Sequence, residues 1–338
     1  MSELQSILDA ADRFRARGER VALATVVAVR GSSYRRPGAR LLVPEEGAPI
    51  GLISGGCLED EAARLAREAL TRDALVLVTI DHSAEGDELW GLGLGCRGII
   101  DMLAEPPEMA AETLDALRAA GDGTASYLLT GFDGERRRLT AMQADALGER
   151  ASMAVAHGRP VVIGESVLDP ILPPLHLVVG GAGPDAGPLV AAGLRLGWRV
   201  TVVDPRRSLL RPERLPGAVL LDVEPGQAAD AVRAGEWTAI VLMSHDYLRD
   251  AAFLGSFIGR GVPYLGVLGP RDRTDRLLAE LEVAPSDADL AALHAPAGLD
   301  IGADGAEEVA TAVIAEILAV LRGRSGAPLR ERAGPIHG

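Results

Sequence analysis

The chain has 338 residues, 48% of them hydrophobic and 24% charged, which is enough for two domains with cores of their own and too apolar for a disordered chain. Its formal net charge of −14 argues against a nucleic-acid surface or an anionic membrane surface, because both reward clustered Lys and Arg; an anionic ligand would have to be held by local groups. Two cysteines, Cys57 and Cys96, are too few for a disulfide scaffold, and neither stands in a zinc-type spacing. The opening Met1-Ser-Glu-Leu-Gln-Ser6 has no basic or apolar signal region, and no apolar run approaches the ~20 residues of a membrane span. A cytoplasmic protein is expected.

Taken in chain order, apolar spacing predicts a helix over Ser6 to Arg17 and a strand over Val21 to Val29. A loop, Arg30-Gly-Ser-Ser-Tyr-Arg-Arg-Pro-Gly-Ala-Arg40, then leads to a strand over Arg40 to Val43. Guanidinium forks match phosphate oxygens, so Arg36 and Arg40 are candidate phosphate ligands; the alternative is a solvated, charged turn. Gly51-Leu-Ile-Ser-Gly-Gly-Cys-Leu-Glu59 comes next, directly before the helical run Asp60 to Leu70. Ser54, Gly55 and Gly56 let backbone come close to a ligand, and the first N–H groups of the helix favour an anion or a thiolate at Cys57. Against this stands a buried small residue at a glycine-capped helix start.

Further strands are predicted at Ala74 to Ile80 and Gly98 to Leu103, a helix at Met109 to Ala120, and strands at Thr124 to Thr130 and Val161 to Ser166. Between the first two lies Gly91-Leu-Gly-Leu-Gly-Cys-Arg-Gly98, a glycine loop carrying Gly95 and the second thiol, Cys96. The three prolines of Leu168-Asp-Pro-Ile-Leu-Pro-Pro174 cannot continue a helix or sit in a central strand, and a domain boundary is expected there. The fold expected is thus α/β: an N-terminal α+β domain over residues 1–168, a Rossmann-type parallel-sheet domain over 169–325, and a loose tail over 326–338.

The second domain reads as strand and helix in alternation: Leu175 to Val179, a helix over Asp185 to Leu196, Arg199 to Val203, Ala239 to Met243, a helix from Tyr247, and Pro263 to Leu268. Gly181-Ala-Gly-Pro-Asp-Ala186 fits a dinucleotide-type glycine turn, with Gly181 and Gly183 at its two fixed positions. Asp204 ends the next strand, where an acid can meet a ribose hydroxyl or simply precede Pro205. Ser244-His245-Asp246 falls at the carboxyl end of a strand, where open α/β sheets bind ligands, although a lone histidine there is often structural. The run Glu307 to Leu321 has the spacing of a core-packing helix.

Several stretches together resemble the XdhC/CoxI family of xanthine dehydrogenase accessory factors, from about Ala22 to Leu321. They are Gly31-Ser-Ser with Arg36-Pro-Gly-Ala-Arg40, Gly51 to Glu59, Leu92 to Gly98, Gly181 to Ala186, Met243 to Asp246 with Asp250, Tyr264 to Gly269, and His294 to Ala303. The resemblance implies a chaperone that binds molybdenum cofactor (molybdopterin), supports its sulfuration with a cysteine desulfurase, and delivers it to an apo-molybdenum hydroxylase of the xanthine dehydrogenase or CO dehydrogenase type. It implies an accessory factor rather than an enzyme, and a homodimer is expected. Cys57 becomes the candidate molybdenum contact, and Cys96, His245, Asp246, His294 and Asp300 join the candidate cofactor-binding residues, with a cleft between the two halves expected to gather them. Two departures stand out: Arg97 where the family commonly has glycine, and Pro184 where it often has histidine. The rival reading is an NAD(P)-dependent oxidoreductase that uses the Gly181 to Asp204 unit for a nucleotide.

Overall fold

The structure, a computed structural model, describes residues 3–31, 35–56, 58–81 and 98–332. The described residues up to Pro173 form one compact unit, and Pro174–Arg332 form another.

In the first unit, α1 (Glu3–Ala16) leads into β1 (Val21–Gly31), β2 (Arg40–Pro44) and the short β3 (Ile50–Gly51). Then come α2 (Glu59–Arg72), β4 (Val76–Asp81), β5 (Gly98–Glu105) and α3 (Pro107–Gly121). The five strands make an antiparallel sheet in the order β3-β2-β1-β5-β4. Strand alternation sends Ala22, Ala24 and Val26 to one face, where they pack with Ala62, Ala63, Ala66 and Ala69 of α2. Leu23 and Leu42 turn to the other face and meet Ile7, Ala11 and Leu114 of α1 and α3. A sheet covered on both faces has no solvated side to write in polar residues, which is why β1 reads as a nearly continuous apolar run.

A second antiparallel sheet completes this unit. Its elements are β6 (Ser126–Gly131), β7 (Arg136–Leu139), α4 (Ala141–Asp145), α5 (Glu149–His157), β8 (Val161–Ile163) and β9 (Ser166–Ile171), with strand order β7-β6-β9-β8. The strand expected over Val161 to Ser166 is in fact a hairpin, turned at Gly164 in the left-handed region (φ 59°). Strand β9 carries Pro170 inside an inner strand, contrary to the expectation that these prolines exclude one. The reason is length: β8 pairs only with Ser166, Val167 and Leu168, so the missing N–H of Pro170 lies beyond the reach of that neighbour. Two buried ion pairs join the sheets. Arg40 of β2 donates to Asp169 of β9 at 2.8 Å and to Thr25 Oγ1 at 2.7 Å, and Arg136 of β7 pairs with Glu105 of β5.

The second unit contains β10 (His176–Gly180), α6 (Ala186–Arg195), β11 (Arg199–Val203), β12 (Val219–Leu221), α7 (Ala228–Val232), β13 (Thr238–Leu242) and α8 (Tyr247–Phe257). It continues with β14 (Tyr264–Val267), α9 (Arg271–Ala279), α10 (Asp287–Ala292), the two-residue β15 (Leu293–His294) and α11 (Ala306–Leu321). All six strands are parallel, in the order β12-β11-β10-β13-β14-β15, so the direction of winding reverses between β10 and β13. Leu177, Val179, Val200 and Val241 pack under α6 and α11, while Val178, Ile240, Leu242 and Val267 pack under α7, α8 and α9. This is the expected Rossmann-type sheet, and the reversal fixes where its ligand crevice opens.

Candidate site at the strand reversal

The turn after β10 is set by Gly181. Its φ of 119° suits glycine, and a Cβ there would stand 2.7 Å from the Ser244 Cα and 2.8 Å from the Met243 carbonyl oxygen. The two loops that flank the reversal therefore touch backbone to backbone. Met243 N–H donates to the Gly180 carbonyl at 2.8 Å and closes that contact. Gly183 is buried against the His245 ring, whose Cδ2 would stand 3.7 Å from a Cβ at this position.

From the β13 side, Ser244, His245 and Asp246 each have a separate task. Ser244 donates from Oγ to Asp250 Oδ1 at 2.5 Å, and Asp250, fully buried, takes Arg273 on its other oxygen at 2.7 Å. Asp246 caps α8 by accepting the Arg249 N–H at 3.0 Å, and that bond holds its carboxyl below the usual range. His245 sits between them in the left-handed region at φ 56°, which costs an L side chain about 1–2 kcal/mol. Its ring is half-exposed, and Nε2 donates to Asp185 Oδ2 at 2.8 Å. Asp185 is the N-cap residue of α6, yet its side chain caps nothing and turns to His245 instead. A strained residue paired across the two loops is the kind of feature that marks functional positions.

Beside this pair opens a cavity of about 620 Å³, within the size range of small-molecule sites. Asp185 and His245 share its lining with Leu189, Met243, Leu268 and Arg273, and the first turns of α11 from Gly305 to Val313 close it.

Asp204 does not reach this cavity. It is fully buried and its oxygens are taken: Ala182 N–H and Arg206 Nη2 donate to Oδ2, each at 2.7 Å, and Arg206 N–H and Nε to Oδ1 at 2.8 and 2.9 Å. Burial pushes its carboxyl up, but these bonds outweigh burial and hold it below the usual carboxylate range. A ribose hydroxyl would have to displace Arg206. His294 is likewise engaged inward, stacked on Tyr264 at 4.6 Å with Nδ1 3.4 Å from Glu316, which also accepts the Tyr264 hydroxyl at 2.6 Å. Asp300 lies exposed on the loop before α11 and does not line the cavity.

In the first unit, the residues of the Gly51 to Glu59 turn bond mostly to one another. Glu59, buried, accepts from Ile53 N–H, Ser54 N–H, Ser54 Oγ and Leu58 N–H at 2.7–3.2 Å, and Ser54 Oγ accepts from Gly56 N–H and Leu58 N–H. Burial pushes Glu59 up, while the Ser54 hydroxyl and the turn N–H groups outweigh it and hold the carboxyl low. The N–H groups of the turn that leads into α2 thus serve an internal carboxylate. Gly55 and Gly56 remain exposed. Arg40 is committed to Asp169 and Thr25, and Arg35 to Glu3 at 2.8 Å; both pairs line a smaller cavity of about 300 Å³. Arg36 is half-buried in the adjoining turn, where its carbonyl accepts Ala39 N–H at 3.2 Å. Cys57, Gly95 and Cys96 lie outside the described residues, and among the described residues no three His, Cys, Asp or Glu side chains converge as a metal set. Sequence reasoning missed Asp185, Arg273 and the α11 wall. Asp185 was visible only as an unspecified position within the glycine turn, and α11 only as core.

The molecule is therefore a two-unit protein with an α+β first unit and a Rossmann-type second unit whose cavity opens at the strand reversal. Residues 177–317 match the XdhC Rossmann domain, and residues 14–81 match the XdhC and CoxI family. The chain is 30% identical over 325 residues to a probable xanthine dehydrogenase subunit of Bacillus subtilis, covering 89% of this chain and 93% of that protein. It is 25% identical over 306 residues to the molybdenum cofactor insertion chaperone PaoD of Escherichia coli, covering 90% and 84%. The crystal structure of a xanthine dehydrogenase from Bacillus halodurans superposes with a TM-score of 0.73 at 26% identity, over 98% of this chain and 99% of that one. The chain belongs to the XdhC and CoxI family.

Proposed function

We propose that this protein is a chaperone that binds molybdenum cofactor as cargo, shelters it during sulfuration by a cysteine desulfurase, and passes it to an apo-molybdenum hydroxylase. The observation that carries the reading is the pairing of a closed ribose acceptor at Asp204 with an open cavity at Asp185 and His245. A Rossmann unit built this way suits holding a ligand better than cycling a dinucleotide. The kind of cargo is argued from the relatives: one carries cofactor insertion in its name, another a xanthine dehydrogenase subunit.

In this reading Cys57 gives a soft thiolate to the molybdenum centre, with Ser54, Gly55 and Gly56 allowing close approach and Arg36 serving the cofactor phosphate. Gly95 and Cys96 supply the second thiol loop. The protein acts in the cytoplasm as a homodimer and needs no turnover of its own. Among the described residues no helix is long and apolar enough to cross a membrane.

The test is the cargo that co-purifies with the full-length protein from a molybdate-fed host, identified by mass spectrometry and by the fluorescence of its oxidised pterin. Cys57→Ala should lower cofactor retention at least tenfold, about 1.4 kcal/mol, without loss of fold. Unchanged stoichiometry in the folded variant would remove Cys57 from the site, and absence of any pterin from the wild type would overturn the reading.

A further inference from the structure

The cavity of the second unit has lining of two chemical kinds. Its sides are aliphatic, with Leu189 of α6 and Val309 and Val313 of α11 among them. Its rim carries the Asp185 and His245 pair. His245 takes one lone pair of Asp185 Oδ2, and among the described residues no hydrogen bond reaches Oδ1. A carboxylate has about four acceptor positions, so Asp185 retains room for two more donors.

This chemistry disfavours a phosphate at the rim. Asp185 would repel it, and Arg273, the cation of the lining, is already neutralised by Asp250 at 2.7 Å. Aliphatic walls with a carboxylate among them instead suit an apolar ring whose edge offers adjacent N–H donors. An adenine edge sets a ring acceptor beside its amino group and would bring a lone pair against the carboxylate. A 2-amino-4-oxo pyrimidine edge offers a ring N–H beside an amino group, and both can donate to one carboxylate in charge-assisted hydrogen bonds.

We propose that Asp185 reads the two-donor edge of a 2-amino-4-oxo pyrimidine-fused ring, the edge shared by pterins and guanines, with the ring lodged against the aliphatic walls of α6 and α11. His245, held in its strained conformation, fixes the carboxylate and leaves Oδ1 toward the ligand. The assignment rests on the cargo-holding reading only in favouring a pterin as the source of that edge.

The experiment titrates the full-length protein with 6-hydroxymethylpterin, guanosine, adenosine and lumazine, by fluorescence and calorimetry. Lumazine keeps the pteridine skeleton but replaces the amino group with a carbonyl. Binding of a two-donor ring at least tenfold tighter than lumazine and adenosine is expected, and Asp185→Asn should lower that affinity at least tenfold. Val309→Trp, which fills the cavity from α11 without touching Asp185, should abolish binding while the melting temperature shows the fold retained. Pterin tighter than guanosine points to a pterin head group; the reverse order points to a guanine nucleotide, and either supports the edge. Lumazine or adenosine binding as well as the two-donor rings, or an Asp185→Asn protein that binds pterin unchanged, overturns the proposal. If cargo co-purifies but neither two-donor ring binds, the edge assignment falls and the holding role stands. If pterin binds in this way but no cargo co-purifies, the edge stands and the holding role falls.

Discussion

Single residues decide which ligand the Rossmann unit can take, and Asp204 shows how. The glycine turn, the next strand and the terminal acid all stand where a dinucleotide fold has them, yet the acid is spent on Ala182 and Arg206. Binding NAD in the usual way would require Arg206 to give up two charge-assisted hydrogen bonds, each of the strong kind, before the ribose made any. Binding of free NAD should therefore be weak or undetectable by calorimetry. A dissociation constant below about 10 µM, together with NADH formation on a small alcohol or hydroxy acid, would restore the oxidoreductase reading. The sequence could locate Asp204 but not its partner, because Arg206 lies only two residues away and folds back on a side chain that spacing alone assigns to the ligand.

Elements follow the same division between what pattern dictates and what only packing reveals. The strands β10, β11, β13 and β14 and the helices α1, α2, α3, α6 and α11 were legible in the sequence because each has a long apolar period or a continuous apolar run, whereas β12 and β15, of three and two residues, have neither. The stretch from β7 to α5 was not, since β7 opens with three arginines and α4 is only five residues long. One of those arginines, Arg136, is a buried partner of Glu105, so a residue that reads as surface belongs to the seam between two sheets. The companion seam, Arg40 with Asp169, is testable. The side chains are only 8% and 12% exposed, and removing one partner leaves the other charged and buried. Asp169→Leu should cost about 3–5 kcal/mol in denaturant unfolding, and Arg40→Met added to it should recover part of that loss. A single substitution that costs under about 1 kcal/mol would mean that water already reaches the pair through the adjoining cavity, which Arg40 and Asp169 help to line.

At the scale of the whole molecule, the net charge of −14 and the buried titratable groups together set how stability depends on pH. His176, at the start of β10, is buried with Nε2 2.8 Å from Thr201 Oγ1, and burial together with the Arg199 charge lowers its pKa to about 4. Its unfolded value is near 6.5, so the folded protein resists a proton that the unfolded chain accepts. The stability it contributes is complete above about pH 6.5 and drains away as pH falls toward 4. Asp204 and Glu59, whose carboxyls the fold holds low, act with the same sign, losing their contribution as pH falls through their folded values. Glu105 acts oppositely: burial raises its carboxyl despite Arg136, so its contribution is present at acid pH and lost as pH rises. A comparison of the protein with a variant that lacks only this imidazole isolates His176, because the carboxylates titrate in both. The shift corresponds to roughly 3 kcal/mol across the window. His176→Gln retains an amide able to bond Thr201 and cannot take the proton. Denaturant unfolding at pH 7 and at pH 4.5 should therefore show a markedly larger loss for the wild type than for His176→Gln. Equal losses in the two proteins would place the acid sensitivity in the carboxylates and take His176 out of the account.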